Sequence, residues 1–142
     1  MLYKLDLATL VHGYAQITSY FTTTSTPPVQ IPGLSVTVTV PSGGARLEII
    51  GYARACYVNT PSSAVRTSLW SGAVGSGTEL TEFLNSGANG GAVNGLSLRY
   101  EGTFPAGTYT FNLGALAPAG WTYTLESAAT YPAYMSVKQI AG

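Results

Sequence analysis

Residues 34–40 read Leu-Ser-Val-Thr-Val-Thr-Val, so Leu34, Val36, Val38 and Val40 share one face while Ser35, Thr37 and Thr39 share the other. This two-residue period predicts a strand with one packed side and one wet side, and its branched residues suit a pleated surface. Turn formers bound the run, Pro32-Gly33 before it and Pro41-Ser42-Gly43-Gly44 after it.

The same alternation recurs along the chain. Residues 14–21 predict a strand with Ala15, Ile17, Ser19 and Phe21 on one side, followed by a linker and Pro27-Pro28, which cannot donate to a ladder and so mark an edge or a crossing segment. Residues 45–58 predict one long strand with Leu47, Ile49, Gly51, Ala53, Ala55 and Tyr57 on one face, and Arg46, Glu48, Tyr52 and Arg54 on the other. Gly51 is a candidate bend inside it. A further strand is expected at 65–71, then a loop at 72–77 and a short strand or one helical turn at 78–84.

Residues 85–95, carrying Asn85, Asn89 and Asn94 among glycines, read as an exposed loop tip. The last third alternates most regularly. Leu96, Leu98 and Tyr100 lead to a turn at Pro105-Ala106-Gly107, then Tyr109, Phe111 and Leu113 point inward, then Trp121, Tyr123 and Leu125 align, and 133–140 closes the domain. That makes about nine short strands spaced by about ten residues, which indicates a β-sandwich or barrel. An open sheet of so many strands would leave exposed edges, so the expected fold is all-β and antiparallel, a two-sheet jelly-roll sandwich of about eight to ten strands or a closed barrel.

The first twelve residues do not share this pattern. Leu2, Tyr3, Leu5, Leu7, Leu10 and Val11 make residues 1–12 an apolar arm, with 13–142 forming the jelly-roll domain. Such an arm either covers one end of its own domain or docks on a neighbouring subunit or larger assembly. Lys4 and Asp6 interrupt it too early for a secretion signal, and no run approaches the roughly 18 apolar residues of a membrane helix, so a soluble chain made in a cytoplasm is expected.

Composition sharpens the picture at one point. In 142 residues, 46% are apolar but only 8% are charged, against roughly 25% in a typical soluble domain. Ten tyrosines, with threonine, serine and glycine, fill the deficit. Tyrosine is amphipathic and enriched where interfaces form, so a partner-covered surface is the preferred explanation over a merely neutral one. Six basic and six acidic residues cancel without forming a run of either sign, which disfavours nucleic acid and anionic membrane as partners.

Candidate chemistry changes little. Cys56 stands alone in the chain within the run Ala-Arg-Ala-Cys-Tyr-Val, as a small buried hydrophobe rather than a nucleophile. His12 is the only histidine and Asp6 the only aspartate, both in the arm, so neither a histidine pair nor a Ser-His-Asp site is supported. Glu79, Glu82, Glu101 and Glu126 could supply a carboxylate pair, but they read as solvated side chains. The glycine-rich stretches lack the lysine of a phosphate loop, and the loop asparagines are too scattered for calcium. No catalytic, metal or cofactor site is expected, and no enzymatic activity.

A family resemblance completes the reading. The segment Pro-Gly-Leu-Ser-Val-Thr-Val-Thr-Val-Pro-Ser-Gly-Gly at 32–44, the long strand after it, Phe-Pro-Ala-Gly-Thr-Tyr-Thr-Phe at 104–111 and the tyrosine-containing final strand resemble small jelly-roll virion proteins of tailed bacteriophages. These look like the tumour-necrosis-factor-like jelly rolls of capsid decoration proteins, head fibres and minor tail proteins, and the resemblance spans about residues 13–142. It implies a homotrimer, with Tyr52, Tyr100, Tyr109, Tyr123 and Tyr134 as candidate contacts between copies or, alternatively, as side chains packed within one chain. It further implies a minor capsid protein assembled in the bacterial cytoplasm that binds the major capsid protein at the virion surface. The alternative is a tail or fibre tip that binds host glycans through Trp70 and the 85–95 loop.

Overall fold

The computed structural model describes residues 10–58, 64–86 and 95–141. Eleven strands lie among them: β1 (His12–Ile17), β2 (Phe21–Thr23), β3 (Val29–Val40), β4 (Ala45–Ala53), β5 (Ala55–Val58), β6 (Ala64–Ser71), β7 (Thr78–Ser86), β8 (Leu96–Phe104), β9 (Gly107–Leu116), β10 (Tyr123–Glu126) and β11 (Ala133–Ile140). They form two four-stranded antiparallel sheets, ordered β1-β11-β4-β8 and β3-β9-β6-β7, and a short three-stranded sheet, β2-β10-β5. Strands from opposite ends of the chain lie side by side, as β1 does with β11 and β3 with β9. Such interleaving of two sheets is the jelly-roll arrangement.

The alternation of residues 34–40 sets the geometry. Leu34, Val36, Val38 and Val40 are buried, and Ser35, Thr37 and Thr39 point to solvent. They meet Leu47, Ile49, Leu98, Met135 and Val137 of the opposite sheet in one continuous core. Each such side chain contributes about 1.5–3 kcal/mol when taken fully from water. Gly13 lets β1 cross closely over β3, because a Cβ there would lie 2.3 Å from Val36 Cγ1.

Five expected boundaries are corrected by the backbone. Pro32-Gly33 is not a turn before a strand but an irregularity inside β3, where the register jumps between Gln30 and Ser35. Gly33 adopts a φ of 87°, a conformation that glycine supplies without strain, and Gln30 Nε2 donates to the carbonyls of Ile31 and Leu34 inside the bulge. The single strand expected at 14–21 is two, since β1 pairs with β11 in one sheet and β2 with β10 in another.

The long strand of 45–58 also divides, at Arg54 rather than at Gly51. Beyond this break the inward positions change parity. Cys56 and Val58 are buried opposite Leu125 and Tyr123, while Tyr57 is turned partly outward. Finally, β7 runs through Asn85 to Ser86, so the expected exposed loop starts later than Asn85, and Asn89 and Asn94 lie outside the described residues. Trp121 precedes β10 instead of aligning within it and stays 39% exposed.

Candidate interaction surface

The outward positions of β1, β11, β4 and β8 form successive cross-strand rows. The first is Gln16, Tyr134, Tyr52 and Ser97, the second Tyr14, Ser136, Ile50 and Arg99, and the third His12, Lys138, Glu48 and Glu101. The face therefore has an aromatic end and a charged end. Tyr134 lies between two other rings, 5.6 Å from Tyr14 and 5.3 Å from Tyr52 by centroid. Cross-strand aromatic pairs of this kind each contribute about 0.2–1 kcal/mol. Yet Tyr14 remains 57% and Tyr52 41% exposed, so the cluster is ordered without being covered.

Five of the chain's twelve charges collect at the other end. Arg46 reaches Glu101 at 2.8 Å, Arg99 bonds both Glu101 and Glu48, and Lys138 Nζ sits 3.0 Å from Glu48. Lys138, and then Arg99, hydrogen-bonds the ionised carboxyl of Glu48 and holds it below the usual carboxylate range despite partial desolvation. Arg99 is in turn pushed up, first by its bond to Glu48. Sequence separations of 51 to 55 residues between the Arg99–Glu48 and Arg46–Glu101 partners explain why no charge run announced the network.

A further outward cluster lies past Tyr52. The Arg54 guanidinium stands 4.5 Å from the ring centroid of Tyr131. The hydroxyl of Tyr20 bonds Tyr131, and that bond, with some desolvation and the nearby Glu126 charge, pushes Tyr20 up to about 12. Desolvation and Glu126 raise Tyr57 as well. None of these five residues stands out in the sequence as an interface residue, although alternation places Arg54 on the outward face.

The tyrosines named as candidate contacts separate into three groups. Tyr52 and Tyr134 belong to the exposed stack. Tyr100 and Tyr109 are half-buried with Phe104 and Phe111 at one end of the sandwich, where the Tyr109 hydroxyl donates to the Pro105 carbonyl. Tyr123 is a correction: it is 0% exposed, with its hydroxyl 2.8 Å from Thr67 Oγ1, and has no surface to offer another chain. Thr67 also lies 3.6 Å from Cys56 Sγ, and burial raises both the thiol and the Tyr123 phenol.

Three arm residues fall within the described structure, and His12 already opens β1. Val11 is buried in the core, bonded through its backbone N–H to Gln139 Oε1 and through its carbonyl to the Gln139 backbone, so it belongs to the sheet and not to a docking arm. Leu10 is half-buried beside it. Leu2, Tyr3, Leu5 and Leu7 lie outside the described residues.

The opposite outer face is chemically plain. Thr37 and Thr110 bond side chain to side chain at 2.8 Å, and Thr39 and Thr108 at 3.3 Å. Trp70, the named glycan anchor, is buried with its ring N–H donating to Ser68 Oγ, and offers no open ring face. It borders a cleft of about 150 Å³ that Arg66, Glu79 and Glu82 also line. Arg66 stands 3.6 Å from Glu82, and both glutamates are solvent-facing.

No protein-family model matches the chain, and no curated protein is similar to it. Solved structures do match. Eiger TNF from S. frugiperda is similar over 93% of this chain and 93% of that one, with 12% identity and a TM-score of 0.54. The C-terminal CBM6 of LamC, a marine laminarinase from Zobellia galactanivorans, matches 89% of this chain and 98% of its own at 16% identity and a TM-score of 0.41. Infectious bursal disease virus, Gx strain, gives 13% identity and a TM-score of 0.41 over 92% of this chain and 32% of the viral one. The likeness to Eiger TNF supports a jelly-roll sandwich as the fold.

Proposed function

We propose that this protein is a structural virion component of a tailed phage, a homotrimeric capsid decoration protein that binds the major capsid protein and stabilises the shell by buried area. The observation that carries this reading is the exposed face of β1-β11-β4-β8. Three clustered tyrosines and Ile50 stand where a water-facing sheet ordinarily carries polar residues, beside charges already paired with one another. A face of this kind has the aromatic content of an interface and presents no large net charge to be desolvated.

Residues 1–9, which include Leu2, Leu5 and Leu7, supply the contact with the capsid in this proposal. Light scattering of the isolated chain combined with mass spectrometry of purified virions tests the two halves together. The expected result is a trimer that co-purifies with particles. A stable monomer absent from particles overturns the reading. Deleting residues 1–9, which leaves Val11 and its sheet bonds intact, is expected to preserve the trimer and abolish capsid occupancy; unchanged occupancy removes the arm from the proposal.

A further inference from the structure

The second sheet carries a cleft that neither the tyrosine rows nor the ion-pair network uses. It opens beside β6 and β7 on the outer face and holds about 150 Å³. A bulge builds it. Leu69 pairs with Thr81 but Trp70 pairs with Glu79, so Leu80 is an extra residue in β7 and packs against the core. In a regular strand residues three apart point to opposite faces, whereas the bulge turns both Glu79 and Glu82 outward, opposite Trp70 and Ser68.

The lining has an apolar half and a charged half. Pro28 and Leu116 supply alkyl surface beside Trp70, and Gly114, in register with Ser68, adds no side chain to the floor. Ser68 is only 4% exposed, and its Oγ accepts from the Trp70 ring at 2.7 Å. That is the one bond its side chain makes among the described residues, so a second lone pair stays open to the cleft. Glu79 has no ion-pair partner among the described residues, and Arg66 reaches Glu82 only at 3.6 Å, beyond hydrogen-bond distance. Two carboxylates against one guanidinium leave the cleft net negative.

We infer that this cleft binds a primary alkylammonium cation, with the ammonium among Glu79, Glu82 and Ser68 Oγ and the alkyl stem along Pro28 and Leu116. An ammonium offers three donors, which these three acceptors match, and its alkyl stem gains by leaving water. A carboxylate or phosphate would meet two like charges at the rim, so Arg66 alone does not make this an anion site. The cation can belong to a free amine or to a lysine side chain of a partner protein. The cleft lies on a different sheet from Tyr14, Tyr52 and Tyr134, and it stands whether or not the virion reading holds.

The chain has two tryptophans, so the Trp70 ring N–H gives one of two indole signals in a nitrogen-correlated NMR spectrum, assigned with Trp121→Phe. Butylammonium chloride is expected to shift the Trp70 signal saturably with a dissociation constant of about 1 mM, against sodium chloride at equal ionic strength. Glu79→Gln, at an exposed position, is expected to weaken that binding about tenfold with the melting temperature unchanged. Butanol and butyrate keep the alkyl chain and remove the cation. Equal binding of butanol or tighter binding of butyrate overturns the inference, as does a Trp70 signal that butylammonium leaves unmoved or an affinity indifferent to Glu79→Gln. A capped Ala-Lys-Ala peptide separates the two sources, and either result upholds the cation site. Tighter binding than butylammonium, with shifts along the β7 amides, assigns the cation to a partner's lysine; equal or weaker binding assigns it to a free amine.

Discussion

The two outer faces of the sandwich are built on the same two-residue period and carry opposite chemistry. Across β3 and β9, threonines pair through their hydroxyls and remain satisfied in water. Across β1, β11 and β4, tyrosine rings stack on one another and leave large apolar areas exposed. A hydroxyl ladder gains little from being covered, whereas each exposed ring gains in proportion to the apolar surface removed from water. The contrast teaches that a jelly roll can give its two outer faces different chemistry without changing its core.

Substitution at the centre of each face is the strongest way to break this contrast. Tyr134→Asp is expected to raise the concentration for self-association about 100-fold, and Thr110→Asp to leave it within about twofold, as read by sedimentation equilibrium. Equal effects on both faces would end the distinction. The inward tyrosine sharpens it. Tyr123→Phe removes the hydroxyl that meets Thr67 and is expected to cost roughly 1–2 kcal/mol in denaturant unfolding while leaving assembly unchanged.

The charged end gives a pH signature that the threonine face lacks. Because Lys138 and Arg99 depress Glu48 in the folded state, its stabilising contribution is present above the unfolded carboxylate pKa and is lost as pH falls below about 4. Glu48→Gln is expected to flatten the acid limb of melting temperature against pH. The smallest effect is spectroscopic. Tyr20, pushed up to about 12 chiefly by its bond to Tyr131, favours the folded state up to the ordinary tyrosine range and loses that contribution as pH rises toward the folded value. Tyr131→Phe is expected to bring the Tyr20 tyrosinate absorbance change to lower pH, and an unmoved titration would detach the two rings.

Much of the strand pattern was legible because burial in a sheet follows local period. The buried and exposed positions of 34–40 and the full extent of β11 follow from alternation alone. Alternation failed where tertiary packing interrupts a strand: at Arg54, where the inward side changes parity, and between β1 and β2, where the chain changes sheets. The candidate surface was half legible. Tyr52 and Tyr134 sit on it, but Tyr123 alternates no differently from Tyr109 in sequence and only its place in the core distinguishes them.

By itself the sequence determined an all-β chain poor in charge and rich in tyrosine, since strand period, turn residues and composition are local quantities. Which strands pair, which tyrosines reach solvent and how five distant charges meet were decided by the tertiary structure alone. Those outcomes depend on antiparallel register between segments far apart in the chain, and a one-residue slip in that register would turn every side chain to the other face.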